Sequence, residues 1–217
     1  MTCWFTADLH LGHGNIAEYT GRPYRGVVEM NNDLVRRYNE VVADGDEVWI
    51  VGDLALGKVD FSLRWVGEMK GTKVLVPGNH DKMFRCQGTK YANTVQRYLD
   101  AGIAEVTEPE LSLWTTASSG ARVRMTVCHF PYAGDSRDGH EDRFVEHRPK
   151  NFGGFLVHGH CHGRWRKKGR MIDVGVDAWG GYPASFQTVA DLFGSEDDAD
   201  PLPWKTNLPH IDWSGTA

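Results

Sequence analysis

The sequence predicts an α/β protein, and the pattern of its first eighty residues is the main reason. Short apolar runs at 3–7, 47–51 and 74–76 have the length and composition of buried strands. The segments between them have helical hydrophobic spacing. Strands that alternate with helices form a parallel sheet, because right-handed crossovers return the chain in the same direction. We therefore expect these three strands to end at one edge of a sheet.

Three helices are predicted in this part of the chain. The first spans 28–42, where apolar residues such as Met30 and Leu34 recur at helical spacing. The second begins with Asp60 as its N-cap and runs to about residue 70. The third covers 82–100 and ends at a glycine-containing turn.

The second half of the chain has a different pattern of predicted secondary structure. Strand-like runs at 104–106, 111–115, 122–127 and 155–157 are separated mostly by short turns, and a further strand follows at 171–176. This spacing predicts a second, largely antiparallel sheet.

Two segments do not fit either pattern. Residues 132–153 form a charged, glycine-rich connection that is long for a compact domain, and loops of this length are usually functional or mobile. Beyond residue 193 the chain becomes acidic and proline-containing. We predict one domain over 1–193, with a tail over 194–217 that packs on it through Trp204 and Trp213 or is partly disordered.

The composition fits a globular domain with a large core, with 41% hydrophobic and 24% charged residues. The net charge of −5 argues against a protein that coats nucleic acid non-specifically, although a local basic groove is compatible with it. No basic leader with an apolar core precedes residue 3, no apolar stretch has membrane-spanning length, and the four cysteines have no CxxC spacing. We expect a cytoplasmic protein with reduced thiols and no membrane partner.

Polar side chains stand where the predicted strands end, and their chemistry indicates metal binding. Carboxylate, imidazole and amide ligands together suit Mn²⁺, Fe²⁺ or Zn²⁺. The set is too large for one ion that also leaves room for substrate, and it fits two ions that share one carboxylate. The seven side chains are Asp8, His10, Asp53, Asn79, His129, His160 and His162.

A centre with two ions about 3.5–4 Å apart activates a water for attack on phosphorus and holds the oxygens of a phosphate. His80 and Asp81 have a clear use beside it. The carboxylate can fix the tautomer of the imidazole and keep it protonated, so that His80 protonates the departing oxygen. The alternatives for His80 are a structural imidazole or an eighth ligand.

Five motifs then occur in a specific order: Asp8-x-His10, Gly52-Asp53, Gly78-Asn79-His80-Asp81, a lone His129, and Gly159-His160-x-His162. Each follows an apolar run, and together they resemble the calcineurin-like metallophosphoesterase family over most of the chain, from residue 3 to 178. The resemblance implies an α/β sandwich of two central mixed sheets flanked by helices.

The resemblance also implies a role for each ligand. Asp8, His10 and His162 would hold the first metal ion, and Asn79, His129 and His160 the second, with Asp53 bridging. His80 matches the family's catalytic histidine and Asp81 its orienting partner. The implied cofactors are two divalent ions, Mn²⁺ foremost, with Fe, Zn or Ni as alternatives.

The opening motif is extended to Asp-Leu-His-Leu-Gly-His-Gly-Asn-Ile and is similar to that of small single-domain bacterial and phage members of the family. This places His13 and Asn15 near the metals, where they would touch the substrate phosphate or brace a ligand. The competing interpretation is that they serve only the glycine-rich turn.

Other polar residues have weaker assignments. His158 is expected in the core or behind a ligand, Cys161 as a packed thiol, and Asp177 and Trp179 either at the rim of the site or as a strand end and core aromatic. A further group of cations is either available to a phosphate-bearing substrate or simply solvated. It comprises Arg22, Arg25, Arg137, Arg143, His147, Arg148 and Lys150.

The predicted function is that of a dinuclear metal-dependent phosphoric-ester hydrolase, with a preference for phosphodiesters of small or nucleotide-derived substrates. One alternative is a nuclease that acts on nucleic-acid ends, which a basic groove leading to the metals would favour. Another is a non-catalytic metal-binding scaffold. The expected partner is a phosphate-ester substrate, with a nucleotide or nucleic acid as its source, and the sequence does not predict the oligomeric state.

Overall fold

A computed structural model of the chain describes residues 1–116, 120, 122–136 and 140–204. The helices are α1 Ile16–Thr20, α2 Val27–Val41, α3 Val59–Leu63, α4 Gly88–Asp100 and α5 Phe186–Gly194, with 3-10 turns at Arg64–Glu68, Lys82–Arg85 and Val145–His147. The strands are β1 Cys3–Thr6, β2 Glu47–Val51, β3 Thr72–Val76, β4 Glu105–Val106, β5 Glu110–Thr116, β6 Arg122–Cys128, β7 Phe155–His158, β8 Lys167–Lys168, β9 Met171–Asp173 and β10 Ala184–Ser185.

The first sheet has the strand order β10-β1-β2-β3-β4. Strands β1 to β4 are parallel, with Phe5 opposite Trp49 and Trp49 opposite Val74, whereas β10 is antiparallel to β1. This confirms the parallel arrangement predicted for the first three strands, and it places their carboxyl ends at one edge.

The second sheet has the order β5-β6-β7-β9-β8. Its three central strands are parallel, and only the edge strands β5 and β8 are antiparallel to their neighbours. The prediction of a largely antiparallel sheet was therefore wrong. The long connection over 132–153 returns the chain so that β7 runs alongside β6 in the same direction, which a tight hairpin cannot do.

Residues 104–106 were also assigned to the wrong sheet. Strand β4 pairs with β3 in the first sheet, with Val106 opposite Leu75. The reason is the intervening helix α4, which acts as a crossover and brings β4 back parallel to β3.

The two sheets pack face to face, and helices cover the outer face of the first. Val51 and Val76 of the first sheet share a buried cluster with Val127 and Val157 of the second. On the other face of the first sheet, α2 and α3 pack over residues such as Ile50. Burial on both faces explains the continuous apolar strands, and it confirms the sandwich of two mixed sheets flanked by helices.

Several predicted element bounds differ in detail. The helix predicted from Asp60 to about residue 70 is α3 followed by a 3-10 turn, and its N-cap is Lys58. The segment 82–100 is divided into a 3-10 turn and α4. The strand predicted over 171–176 ends at Asp173.

Part of the acidic tail contacts the body of the protein. The ring of Trp204 lies 5.6 Å from that of Tyr24, and the amide of Leu202 donates to the Ala178 carbonyl at 2.9 Å. Trp213 and Arg137 lie outside the described residues. Within the part of the chain that the structure describes, no helix combines the length and apolar character needed to cross a membrane.

Candidate metal centre

The predicted ligands of both sheets meet at one edge of the sandwich. Asp8 follows β1 and Asp53 follows β2, and the amide of His10 donates to the Asp53 carbonyl at 2.9 Å. From the second sheet, the amide of His160 donates to Asp8 Oδ2 at 2.9 Å. The second of these bonds joins residues 152 positions apart in sequence.

The backbone of the ligands is unusual. Among the described residues, the non-glycine residues with positive φ are Asp8, His10, Asp53, Phe144, His160 and His162. All except Phe144 are predicted metal ligands. Left-handed backbone is costly for residues with a Cβ and concentrates where function requires a side chain to be aimed in a particular direction.

The first ligand group is Asp8, His10 and His162. One potential ligand atom from each lies within 4.8 Å of the others, and the His10 and His162 rings stack with centroids 5.0 Å apart. Asp8 and His10 are buried and His162 is partly exposed. This is the set predicted for the first ion.

The second group is Asp8, Asp53 and His129, all buried and again within 4.8 Å of one another. Asp53 Oδ2 lies 3.6 Å from His10 Nε2 and 3.3 Å from His129 Nε2. One carboxylate oxygen thus stands between an imidazole of each predicted set.

Asn79 and His160 are the two remaining predicted ligands. The His160 ring centroid lies 5.2 Å from that of His129. Asn79 is buried, and the amide of the next residue, His80, donates to Asp53 Oδ1 at 2.8 Å. The structure therefore brings the predicted ligands to one edge of the sandwich, with His160 outside the two compact carboxylate–histidine groups described above.

Hydrogen bonds leave one nitrogen of each of three histidines available. His129 Nδ1 donates to the Val51 carbonyl at 2.9 Å, His160 Nε2 contacts Asp135 Oδ2 at 2.8 Å, and His162 Nδ1 contacts Asp177 Oδ2 at 3.0 Å. Anchoring one ring nitrogen fixes the tautomer and turns the other toward a metal. This arrangement is typical of metal-ligating histidines.

Several atoms of the cluster have no hydrogen-bond partner. Among the described residues, Asp8 Oδ1, Asn79 Oδ1 and both ring nitrogens of His10 are buried and unpaired. Buried polar groups without partners are costly, and divalent cations would satisfy them. Oxygen and imidazole donors together suit borderline ions such as Mn²⁺, Fe²⁺ or Zn²⁺, so the residues fit the implied metals.

The electrostatics of Asp53 and His129 are those of an ion pair. Burial by itself would lower the pKa of His129, but the Asp53 carboxylate overcomes this and raises that pKa to about 10. Burial opposes ionisation of Asp53, yet His129 holds the pKa of this carboxyl well below its usual range. A divalent cation would take the place of the proton that His129 carries, since imidazole binds metal in its neutral form.

Asp177 and Arg22 support the first ligand group, a role that sequence analysis did not assign to them. The Arg22 guanidinium donates to both Asp177 oxygens at 2.8 Å and to the Asp8 carbonyl at 2.7 Å. Asp177 in turn orients His162. Arg22 is thus buried in the framework of the site. Contacts across 155 positions leave no local signal in the sequence.

Asp135 supports His160 and was also missed. It is buried, and its carboxylate bonds both His160 and the guanidinium of Arg148. Arg148 was expected either to be a solvated cation or to be available to a substrate phosphate. The structure instead commits it to Asp135 and to the Pro131 carbonyl.

Asp81 has a different position from the one expected. Its oxygens accept from the amides of Gly78 at 2.9 Å, Asp53 at 2.8 Å and Leu54 at 3.1 Å. The carboxylate therefore ties the end of β2 to the turn after β3, and these bonds turn it toward the backbone rather than toward the His80 ring.

His80, His13 and Asn15 occupy the rim. The His80 amide donates to Asp53 Oδ1 at 2.8 Å, and its solvent-exposed ring lies 5.3 Å from that of His10. The His13 ring lies 5.7 Å from His10. Asn15 is exposed and its amide nitrogen points to the Tyr19 hydroxyl at 3.4 Å, so only His13 of this pair faces the cluster.

Residues around the last motif pack as expected. His158 is fully buried, and its Nδ1 donates to the Gly159 carbonyl at 2.7 Å while Trp165 donates to its Nε2. Cys161 is a buried free thiol, and Trp179 is a core aromatic.

Comparison with known proteins places these observations in a family. Residues 1–164 match the family described as calcineurin-like phosphoesterase. The chain is 32% identical to the Gene 66 protein of Mycobacterium phage L5 over 184 residues, which cover 82% of this chain and 87% of that protein. It is 33% identical to the Gene 66 protein of Mycobacterium phage D29 over 187 residues, with 81% and 88% covered.

A solved structure shares the fold. The protein of unknown function AQ665 from Aquifex aeolicus superposes with a TM-score of 0.60 at 19% identity, over 88% of this chain and 98% of that one. At this identity the similarity concerns the architecture alone.

Proposed function

The chain belongs to the calcineurin-like phosphoesterase family, and from that premise we propose that it is a dinuclear phosphodiesterase. Family membership and the buried ligand groups make it a metal-dependent phosphoesterase. The observation that carries the dinuclear proposal is the position of Asp53 Oδ2 between His10 Nε2 and His129 Nε2, at 3.6 and 3.3 Å. A carboxylate in this position is suited to bridge two ions.

Each ligand then has a defined task. Asp8, His10 and His162 would hold one ion, and Asn79, His129 and His160 the other, with Asp53 shared. When bound, the pair supplies an activated water and neutralises charge that develops on the phosphoryl oxygens. Mn²⁺ is the first ion to test, followed by Fe²⁺, Zn²⁺ and Ni²⁺.

His80 is the proposed general acid. As water oxygen bonds to phosphorus, the bond from phosphorus to the leaving oxygen breaks and its electron pair goes to that oxygen. His80 donates its proton there, and the proton released by the water passes to solvent. Desolvation lowers the pKa of His80, and the nearby Asp53 carboxylate opposes this. A bound anionic substrate would favour the charged imidazolium further.

The preference for a diester rests on the openness of this side of the site. The His80 ring is exposed, so an esterified group has room beyond it. His13, half-buried 5.7 Å from His10, is placed to contact a non-bridging oxygen.

Turnover of bis(p-nitrophenyl) phosphate and of p-nitrophenyl phosphate, each with Mn²⁺, Fe²⁺, Zn²⁺ or Ni²⁺, tests the proposal. We expect the diester to be hydrolysed faster. In His80→Ala, turnover should fall by about 100-fold or more while two ions per chain remain bound. The matched control is His140→Ala, an exposed histidine on the loop after β6 that should not change turnover.

Two results would contradict the proposal. Metal binding without turnover of any ester would instead identify a non-catalytic scaffold. A stoichiometry of one ion per active chain would exclude the dinuclear centre. A nuclease remains the second candidate, because His80 lines a cavity that is also lined by Lys82, Arg85 and Lys90.

A further inference from the structure

A cavity of about 430 Å³ opens directly beside the proposed general acid. Asn79 and His80 form the wall next to the metal centre. Other lining residues come from the segment 56–59, the 3-10 turn Lys82–Arg85 and helix α4. Because His80 lines the cavity, a leaving group that His80 protonates would depart beside it.

Part of the cavity lining is cationic. Lys82, Arg85 and Lys90 line the cavity and are all exposed. Among the described residues, none of the three forms an ion pair. Arg97 also lines the cavity, but it is paired with Asp60.

Within the described part of the chain, no exposed carboxylate lines the cavity to offset this charge. Asp81 is the acidic residue among the lining side chains, and it is buried with its oxygens on backbone amides. Cys86 is committed to the Lys82 carbonyl at 3.0 Å. We call Lys82, Arg85 and Lys90, with the cavity they line, the cationic groove.

We propose that the cationic groove binds a second phosphate carried by the leaving group of the substrate. The inference rests on the proposed function, because it uses His80 to define the leaving side. Unpaired lysine and arginine side chains beside a phosphoryl-transfer site are suited to phosphate oxygens, which they bind through charge-assisted hydrogen bonds. The substrate class is therefore a phosphodiester within a nucleotide chain, not an isolated small diester.

The net charge of −5 is compatible with this assignment. A local cluster can attract a polyanion even when the whole chain repels it, because the Debye length at physiological salt is about 8 Å. The same chemistry could come from a short phosphorylated nucleotide or from a longer single strand, and substrate length separates the two.

The test compares two dinucleotides, TpT and its doubly phosphorylated form pTpTp, in the Mn²⁺-loaded protein. Both contain the same scissile diester, and only the second carries phosphate on the leaving group whichever ester bond breaks. We expect kcat/KM to be at least about tenfold higher for pTpTp, since two or three exposed charge pairs contribute about that much. A single strand of eight thymidines then shows whether further length helps.

The variant that combines Lys82→Ala, Arg85→Ala and Lys90→Ala should abolish the preference for pTpTp over TpT. The control variant must remove the same amount of positive charge at positions outside the groove. Lys70, Arg122 and Arg124 are exposed and lie before β3 or in the first half of β6, away from the ligand-bearing strand ends. The combined alanine variant of these three should keep the preference.

Equilibrium binding to the metal-free protein, followed by calorimetry, decides the inference separately from turnover. The groove is supported if pTpTp binds more tightly than TpT, and if this difference is lost in the groove variant and kept in the control. That result supports the groove even if no ester is hydrolysed. Failure to hydrolyse any ester would contradict only the proposed function. Equal affinity and equal kcat/KM for the two dinucleotides would overturn the inference. A preference that survives in the groove variant would overturn it as well.

Discussion

The metal centre and the cationic groove share a border at His80 but are built in opposite ways. Ligands of the centre come from both sheets and are mostly buried, and five of them have left-handed backbone. Cations of the groove come from one stretch of nine residues, 82–90, and are exposed. If both proposals hold, hydrolysis depends on buried side chains that converge from distant segments, whereas substrate selection depends on exposed side chains of one segment.

The largest effect is expected from Asp53→Ala, which removes the proposed bridge. Both ions should be lost and turnover of bis(p-nitrophenyl) phosphate should fall to background. Elemental analysis and circular dichroism check metal content and folding. Full activity in an Asp53→Ala variant that still holds two ions would show that Asp53 is not needed as a bridge. The centre would then tolerate the loss of a ligand as easily as the groove is expected to tolerate the loss of one cation.

Gly159→Ala tests how tightly the centre is packed. A Cβ at this position would lie 2.7 Å from Asp8 Oδ2 and 2.7 Å from Ala7 Cβ. We expect unfolding free energy to fall by about 1–3 kcal/mol and metal affinity to fall with it, measured by denaturant titration and calorimetry. At Gly194 a Cβ meets nothing within 4 Å, so Gly194→Ala should have no such cost. Equal behaviour of the two variants would argue against a rigid centre.

Asp177→Asn probes the support behind a ligand. The change keeps the size of the side chain but weakens its bonds to Arg22 and His162. Removing such a partner typically lowers metal affinity by about 10–100-fold. Calorimetric titration with Mn²⁺ measures the change. An unchanged affinity would mean that His162 does not need Asp177 for its orientation.

Adding metal to the stripped protein should stabilise it, because the ions bind the folded centre and satisfy its unpaired atoms. At a free concentration 100 times Kd, one site contributes about 2.7 kcal/mol. For a chain of this size, that corresponds to a Tm increase of about 5–10 °C. The groove variant should show the same increase. An increase in wild type that is absent from the groove variant would mean that the two regions are not separable.

The smallest effect is expected for Lys90→Ala. One exposed cation contributes about 0–1 kcal/mol, so kcat/KM on pTpTp should fall by about two- to fivefold. The decrease should be smaller at high salt, because exposed charges are screened. A loss as large as that of Asp53→Ala would place Lys90 in the metal centre rather than in the groove.

Most of the candidate ligands can be predicted from the sequence, because each of them follows an apolar run. Asp8, Asp53 and Asn79 end three parallel strands, so strand direction alone predicts that they meet. The fold class and the motif order follow from the same local patterns. Sequence reasoning was less successful for the second sheet, because the direction of β7 depends on where a long connection returns.

The sequence by itself determined the candidate ligands and the α/β class, since both depend on short-range periodicity and on which residue stands at a strand end. Only the tertiary structure decided what supports the ligands: Arg22 with Asp177 behind His162, Asp135 behind His160, and Asp81 on backbone amides. It also decided that 82–90 forms a wall beside His80. The physical reason is that hydrogen bonds and ion pairs between distant segments depend on how those segments pack. Such contacts produce no periodic pattern in the sequence.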